Sequence, residues 1–289
     1  MIFLDVRTDF AFKKVFGSED SKPRLISFLN SLIDFDKHGK ITDLDIIDPY
    51  NIPQLKGMKD TFVDVKAVLE DNAKIIIEMQ VLNHEGFENR VLYNTAKNYS
   101  TQLVKGEQYH LLKPVIALTI VDFDMFPDND ALINYFKVLN KKDFSLYNHD
   151  IELIFVELNK FTKALEECKN DQDNWLYFLK NAGELEFMPK NLPKTIETAY
   201  ETTRTANMKP EELELQYKKQ EFIAVSKLSI SLASKIGMAK GLEQGLEQGI
   251  EQGRQEEKLT LAKAMKLQGV DIITISKVTQ LNEQEITLL

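Results

Sequence analysis

A carboxylate and an amide interrupt an otherwise apolar segment, "KIIIEMQVLNH" at positions 74–84. Because side chains alternate across a strand, Glu78 and Gln80 point to one face of a predicted strand, whereas apolar residues such as Ile77 and Met79 point to the other. The two polar groups therefore stand side by side. Two interpretations are open at this point: a chemical site, or a sheet with one face exposed to solvent.

A second strand-like segment, "FVDVKAVL" at 62–69, also carries a carboxylate among apolar residues. Asp64 and Lys66 share one face of this predicted strand. Two carboxylates that face the same way on neighbouring antiparallel strands form a site for a hard cation such as Mg²⁺, which prefers oxygen ligands. Asp64 and Glu78 are therefore candidate metal ligands.

The register of these two strands decides whether the carboxylates can meet, since directly opposed residues lie on the same face. A two-residue turn within the connecting "EDNA" would set Asp64 opposite Met79 and send the carboxylates to opposite faces. A loop with an odd number of residues, or a bulge, sets Asp64 opposite Glu78 or Gln80. The metal-site hypothesis requires an odd loop or a bulge.

The elements predicted around this hairpin form an α/β or α+β core with a sheet covered by helices. Helical spacing of apolar residues predicts two short helices in the opening segment, separated near Gly17. A longer helix is predicted from Glu88 to Gly106, followed by a nearly all-apolar strand in "PVIALTIVDF". After a mainly helical segment, "IELIFVEL" at 151–158 predicts a further strand.

Composition narrows the class of protein. The 289 residues are 43% hydrophobic and 28% charged, which is typical of a soluble globular chain. The net charge of −9 argues against a large basic surface for nucleic acid. We expect a cytoplasmic protein with no membrane association, because no run of about 18 uninterrupted apolar residues is present. The single cysteine and the scattered histidines argue against a disulfide framework and a zinc site.

The C-terminal region has a different character. "GLEQGLEQGIEQGRQEE" repeats a four-residue unit, and each glycine inside a helix costs roughly 1 kcal/mol relative to Ala. The repeat fits either a hinge or a close-packed stripe for self-association. The last residues predict three short helices, with Gly269 ending the first, Asp271 starting the second, and Asn282 with Glu285 starting the third.

The spacing of these terminal helices is similar to that of helix-turn-helix DNA readers. The last helix, "EQEITLL", carries two acids and no base, which is unfavourable for phosphate contact and favours packing or oligomerisation. We therefore predict a folded domain over residues 1–210, a helical linker over 211–257 and a three-helix tail over 258–289. A homo-oligomer formed through the C-terminal helices is one expectation.

At this point the chain resembles a family. Asp64, followed after 13 residues by Glu78-Met79-Gln80, looks like the D…(D/E)-x-K signature of the PD-(D/E)XK nuclease superfamily. "TDFAFKKVFGSE", "IEMQ" and "NRVLYNTAKNYSTQL" resemble its Rpn branch, the recombination-promoting nucleases related to transposases. The resemblance covers residues 5–125 and extends more loosely to about 200. It implies a restriction-endonuclease-like mixed sheet flanked by helices, with a helical C-terminal extension.

The resemblance also implies hydrolysis of DNA phosphodiester bonds by an endonuclease that uses Mg²⁺ or Mn²⁺, in recombination or transposition. Asp64 and Glu78 would be metal ligands, with the carbonyl of Met79 as a third, and Gln80 would stand where the family has a water-orienting lysine. An amide supplies no positive charge, so we expect Lys66 to provide it. The alternative is a catalytically weak nuclease fold that binds DNA or a protein partner.

Four further residues are candidates for supporting roles or DNA contact. Asp9 and Lys13 lie one helical turn apart and could face the site, although a plain ion pair between them is an equal interpretation. Arg90 and Tyr93 are neighbours on a helix face and could contact phosphate. Core packing is the alternative for Tyr93.

Overall fold

The computed structural model describes residues 2–35, 40–51 and 61–289. Within these ranges the α-helices are α1 (Asp9–Phe16), α2 (Lys22–Leu32), α3 (Phe87–Ser100), α4 (Asp171–Asn181), α5 (Lys194–Thr202), α6 (Pro210–Leu267), α7 (Ile272–Thr279) and α8 (Glu283–Leu288). The strands are β1 (Leu44–Ile47), β2 (Tyr50–Asn51), β3 (Thr61–Phe62), β4 (Val65–Leu69), β5 (Lys74–Gln80), β6 (Val115–Val121), β7 (Ile133–Lys137) and β8 (Ile151–Glu157).

Six of the strands form one mixed sheet in the order β1-β4-β5-β6-β8-β7. The strands β5, β6 and β8 run parallel at its centre, while β1, β4 and β7 pair antiparallel with their neighbours. Every residue of β6 is buried, as expected for a central parallel strand covered on both faces. The predicted α/β class, a mixed sheet flanked by helices, is confirmed.

The two faces of the sheet are covered by different helices. The larger hydrophobic cluster joins α1, α2, α4 and α5 to one face through residues such as Ile77, Leu118 and Ile154. The smaller cluster joins α3 to the opposite face, where Ile76 packs with Phe87 and Val91. Alternation along β5 thus sends its odd-numbered residues to the large core and its even-numbered residues to the α3 face.

The opening helices form as predicted, and local chemistry explains where they begin and end. The Thr8 hydroxyl accepts a hydrogen bond from the N–H of Ala11 and caps α1. Gly17 closes α1 by donating its backbone N–H to the carbonyl of Lys13, and a Cβ at that position would lie 2.7 Å from the same oxygen. The buried face of α1 contributes Phe12 and Phe16 to the large core.

The prediction of a mainly helical segment between β6 and β8 is wrong. Leu132, Phe136 and Leu139 are spaced there as on a helix, yet Ile133–Lys137 form the edge strand β7 and pair antiparallel with β8. Ring contacts of Phe136 with Phe155 on β8 stabilise this pairing. Tertiary pairing therefore outweighs the local helical pattern.

The helix α3 is shorter than predicted. It ends at Ser100 instead of continuing to Gly106, and Thr101 closes it by donating its backbone N–H to the carbonyl of Lys97. Gly106 does adopt a left-handed conformation, with φ of 99°, but in the loop beyond the helix. The site-facing part of α3 is unaffected by this difference.

Contacts divide the chain into two compact units, Met1–Val225 and Ser226–Leu289. The division falls later than the predicted limit at residue 210, because the first turns of α6 pack within the first unit. There the Gln216 amide donates to the carbonyl of Asp5 and accepts from the Thr8 hydroxyl. The remainder of α6, which includes the glycine repeat, is helical up to Leu267.

Within the second unit, the predicted starts and stops of the terminal helices are confirmed. Gly269 has a left-handed φ of 78°, Asp271 caps α7, and Asn282 forms a reciprocal capping box with Glu285 at the start of α8. Ala262, near the end of α6, packs with α7 and α8 in a small core. The first of the three predicted helices is thus the end of α6.

One helix is long and apolar enough to cross a membrane by length and composition alone. An 18-residue window of α6 has a mean hydropathy of 1.3 and is not buried. The expectation of no membrane association stays a prediction.

Candidate active site

The hairpin of β4 and β5 is regularly paired from Val65 onward, and the pairing changes at Asp64. Val65 is paired with Ile77 and Lys66 with Ile76, whereas the N–H of Asp64 also donates to the carbonyl of Ile77, so Asp64 is an extra residue beside this pair and not the partner of Glu78. The N–H of Leu69 donates to the carbonyl of Ala73, so the hairpin loop proper has three residues, 70–72, and Asn72 takes a left-handed φ of 66°. Asparagine tolerates this conformation better than most residues, which allows the odd loop.

Asp64 lies in a bend between β3 and β4, and its carboxylate is held from two sides. Its Oδ2 accepts a hydrogen bond of 2.8 Å from the backbone N–H of Met79. Its Oδ1 lies 3.2 Å from the Nζ of Lys13 on α1. Since the N–H and C=O of one strand residue point to the same edge, the carbonyl of Met79 is directed toward the Asp64 side of β5.

Glu78 and Gln80 face α3, where Arg90 contacts both. The Arg90 guanidinium forms an ion pair with the Glu78 carboxylate and donates a 2.8 Å hydrogen bond to the Gln80 Oε1. The Gln80 Nε2 donates to the carbonyl of Leu82 at 2.7 Å. Both polar ends of the Gln80 side chain are therefore engaged within the protein.

Burial disfavours the charged forms of both carboxylates. The Glu78 side chain is 13% exposed, and burial raises its pKa to about 7, an effect that the positive charge of Arg90 opposes and the nearby Asp64 reinforces. The pKa of Asp64 is also raised by burial, against the hydrogen bond from Met79 and the charge of Lys13. Two buried carboxylates with raised pKa values are typical of a functional site.

The raised pKa of Glu78 predicts that Glu78→Gln stabilises the folded chain at alkaline pH. The native state binds the Glu78 proton more tightly than the unfolded chain, so wild-type stability falls as pH rises from about 4.5 to about 7. Glutamine carries no such penalty. At about 1.4 kcal/mol per pKa unit, we expect a gain on the order of 1–3 kcal/mol at pH 8 and almost none near pH 4.5.

Denaturant unfolding of both proteins at the two pH values measures this gain. The matched control is Glu88→Gln, which removes an exposed carboxylate in the first turn of α3. If Glu78→Gln is no more stable than wild type at pH 8, or is more stable by the same free energy at both pH values, the raised pKa of Glu78 is contradicted.

The positive charge beside the carboxylates comes from α1 and α3. Lys13 pairs with Asp64, whereas Asp9 pairs with Lys219 at 3.3 Å, so Asp9 and Lys13 do not form the plain ion pair considered from the sequence. Asp9 contributes a weaker influence, since its charge further raises the pKa of Asp64. Lys13 is the lysine that the fold brings to the site.

Lys66, the residue expected to supply the missing charge, lies in a different environment. Burial lowers its pKa, as do the neighbouring charges of Lys74 and Lys97, while Asp48 raises it. It lies opposite Ile76, on the face of the sheet that α3 covers, whereas Asp64 contacts Lys13 of α1. The cations that contact the two carboxylates are Lys13 and Arg90, and the predicted role of Lys66 stays a prediction.

The two candidates on α3 differ in what holds them. The guanidinium of Arg90 lies 5.0 Å from the ring centre of Phe87 and forms a cation–π contact with that ring. Phe87 was missed in the sequence, although its position one turn before Arg90 was the available signal. Tyr93 is 38% exposed and belongs to neither hydrophobic cluster, so the core-packing alternative is wrong.

The donors fit a hard divalent cation. The carboxylates of Asp64 and Glu78, together with the Met79 carbonyl, offer oxygen alone, which suits Mg²⁺ or Mn²⁺ and does not suit a thiolate- or imidazole-seeking metal. Among the described residues, no group of three or more His, Cys, Asp or Glu side chains converges to hold a metal. A cation at this site would therefore keep several of its waters.

The mixed six-stranded sheet with flanking helices is a restriction-endonuclease-like α/β fold, and two neighbouring carboxylates lie beside a lysine and an arginine on one of its hairpins. The sequence model described as PD-(D/E)XK nuclease family transposase matches residues 6–231, and the chain belongs to this family. The resemblance seen in the motifs is thereby confirmed. No curated protein and no solved structure matches the chain. Members of this family are hydrolases of nucleic acids, and they generally use divalent metal ions.

Proposed function

We propose that this protein is a metal-dependent DNA endonuclease that hydrolyses phosphodiester bonds in recombination or transposition. The observation that carries the proposal is the neighbouring pair of carboxylates, Asp64 and Glu78, which are largely buried, have raised pKa values and contact Lys13 and Arg90. A structural ion-pair network does not require two partly desolvated carboxylates beside each other. A metal site does require them, because a cation of charge +2 stabilises both ionised carboxylates.

Each residue has a defined task in this proposal. Asp64 and Glu78 hold the cation, and the Met79 carbonyl provides a third oxygen. A bound Mg²⁺ or Mn²⁺ supplies Lewis acidity toward the phosphate and lowers the pKa of a coordinated water. Lys13 has a side chain that is 44% exposed, so it can approach a phosphate oxygen and stabilise the charge that develops there.

Arg90 and Tyr93 extend the site along α3. Arg90 is 42% exposed and can exchange its contact with Glu78 for a phosphate once a cation neutralises that carboxylate. Tyr93, one turn further and partly exposed, can donate its hydroxyl to the DNA backbone. These contacts fix the position of the DNA and carry no sequence information.

A second function is favoured by one observation. Both ends of the Gln80 amide are hydrogen-bonded within the protein, and Glu78 already forms an ion pair with Arg90. These three side chains therefore resemble a closed structural network as much as a catalytic site. A catalytically weak protein that binds DNA or a protein partner would show this arrangement. Metal-dependent cleavage distinguishes the two functions.

The test is incubation of the full chain with supercoiled plasmid in EDTA, Mg²⁺, Mn²⁺ or Ca²⁺, together with a binding assay on the same DNA. Conversion to nicked or linear plasmid in Mg²⁺ or Mn²⁺ alone supports the endonuclease. DNA binding that persists in EDTA, with no cleavage in any of the ions, supports the binding function instead.

The pKa of Glu78 also predicts how cleavage depends on pH. Below about pH 7 a proton competes with the metal for this carboxylate, so apparent metal affinity falls by about tenfold per pH unit. We expect the Mg²⁺ concentration that gives half-maximal cleavage to be about five times higher at pH 6 than at pH 7, because the carboxylate is already half protonated at pH 7, and little changed between pH 8 and 9. Metal titrations of the initial rate measure this, and a requirement independent of pH would contradict it.

A further inference from the structure

The segment 226–253 of α6 carries an exposed apolar stripe. At 3.6 residues per turn, seven of its apolar residues fall within a sector of about 120° on the helix, which also contains Lys235, Glu243 and Gly253. The Leu and Ile side chains in this set are 49–76% exposed, and Ala239 is exposed as well. The stripe consists of Leu228, Leu232, Ile236, Ala239, Leu242, Leu246 and Ile250.

The spacing of this stripe is symmetric about Ala239. Successive members are separated by four, four, three, three, four and four residues. When two copies of the helix run antiparallel and cross at Ala239, each apolar residue meets an apolar residue. Leu228 then faces Ile250, and Leu232 faces Leu246.

Charge has the complementary symmetry. Residues 226–240 contain three lysines and no acid, whereas residues 241–253 contain three glutamates and no base. In the antiparallel register defined by the stripe, Lys227 lies opposite Glu251 and Lys235 opposite Glu243. A parallel pair would set like charges against each other along both halves, which is unfavourable.

The same segment is a weak helix in isolation. Gly237, Gly241, Gly245 and Gly249 have open space where a Cβ would stand, so nothing in the described chain packs against them. Each costs roughly 1 kcal/mol relative to Ala. A helix with this many glycines is stabilised when a partner covers its apolar face.

We propose that segment 226–253 pairs antiparallel with the same segment of a second copy of this chain. At roughly 100 Å² per side chain, the twelve Leu and Ile side chains of two stripes bury on the order of 1,200 Å². That area reaches the size of a specific interface. The result is an isologous dimer that carries two nuclease units in one assembly.

A lipid surface fits the segment less well than a second copy. The stripe continues through Leu242, Leu246 and Ile250 into the half that carries the three glutamates, which an anionic bilayer repels. A spanning arrangement would place Lys227 and Lys235 within the apolar region. Binding of the full chain to vesicles is therefore an outcome that would overturn the proposal.

The test is the mass of the full chain by light scattering and by sedimentation across a concentration series. We expect the wild-type protein to have twice the 33.3 kDa mass of one chain. For the double variant Leu232→Glu with Leu246→Glu we expect a dissociation constant of the dimer at least about 100-fold larger. The matched control is Ile230→Glu with Met238→Glu, which changes exposed apolar residues of the same segment outside the stripe. A monomeric wild type, or equal weakening by both double variants, would overturn the proposal.

Cross-linking determines the direction of the pair. With Cys168 replaced by Ser in each chain, a mixture of Leu228→Cys and Ile250→Cys proteins is expected to form a disulfide between the two different chains. Ala239→Cys is expected to cross-link to itself. Disulfides only between identical chains in the Leu228→Cys and Ile250→Cys mixture would show a parallel pair and contradict the antiparallel register.

Discussion

Replacing Asp64 by Asn is expected to lower DNA cleavage by about 1,000-fold or more without unfolding the protein. The asparagine side chain keeps an acceptor for the N–H of Met79, so the bend between β3 and β4 retains its hydrogen bond. The variant loses the charge that holds the cation and fixes Lys13, on which the proposed chemistry depends. Single-turnover cleavage of a labelled DNA duplex measures the loss, and circular dichroism verifies the fold.

The control for this substitution is Asp9→Asn. Asp9 lies on α1 near the same carboxylate but pairs with Lys219, so its removal is expected to change cleavage by only a few-fold. An Asp64→Asn protein that cleaves at the wild-type rate would contradict the assignment of Asp64. A loss of equal size in both variants would instead make α1 as important as the paired carboxylates.

Replacing Lys13 by Gln is expected to lower cleavage by about 100-fold. Gln80 supplies no positive charge at the position where the family has a lysine. The Nζ of Lys13, which lies beside Asp64, is therefore the charge available to stabilise the phosphate in the transition state. Lys13 is partly exposed, and the group that loses its partner in this variant is the Asp64 carboxylate. A bound cation would pair with that carboxylate instead. We expect the rate of the bound complex to fall more than DNA affinity does.

Two lysines serve as controls for Lys13. Lys14 is its neighbour on α1 and pairs with Glu212, so Lys14→Gln removes the same charge without touching the site. Lys66→Gln tests the residue that strand alternation favoured. We expect both to stay within about threefold of wild type, and a large loss in Lys66→Gln with an active Lys13→Gln would restore the sequence-based interpretation.

Strand alternation and hairpin register account for what the sequence could predict of the site. The sequence points to the two carboxylates because acids in apolar strands are costly, and it makes their meeting depend on one condition, an odd loop or a bulge. That condition was not decidable from "EDNA", since the left-handed conformation of Asn72 fixes the three-residue loop. In the structure the Asp64 N–H donates to the carbonyl of Ile77, as at a bulge, and the carboxylate lies close enough to Glu78 to raise the pKa of that residue.

The source of the positive charge could not be predicted in the same way. Lys66 was favoured because it is close to Asp64 along the chain, whereas Lys13 reaches the carboxylate through packing of α1 against the sheet. Likewise, Arg90 meets Glu78 only because α3 covers the even-numbered face of β5. Helix docking depends on many distant contacts, and a single sequence does not display them.

The strand β7 illustrates a different limit. Its residues satisfy a helical spacing as well as a strand spacing, and only pairing with β8 selects between them. In contrast, the caps of α1, α7 and α8 depend on side chains within three residues, so those boundaries were predictable from the sequence.

Glu78 is the residue on which the proposed activity depends most directly, as the buried carboxylate that holds the metal of a DNA endonuclease. The most direct measurement is the initial rate of nicking of supercoiled plasmid by wild type, Glu78→Gln and the exposed control Glu88→Gln, each with and without Mg²⁺. We predict metal-dependent nicking by wild type and Glu88→Gln, and a rate at least about 1,000-fold lower for Glu78→Gln. Nicking by Glu78→Gln at the wild-type rate, or nicking that needs no metal, would contradict this role.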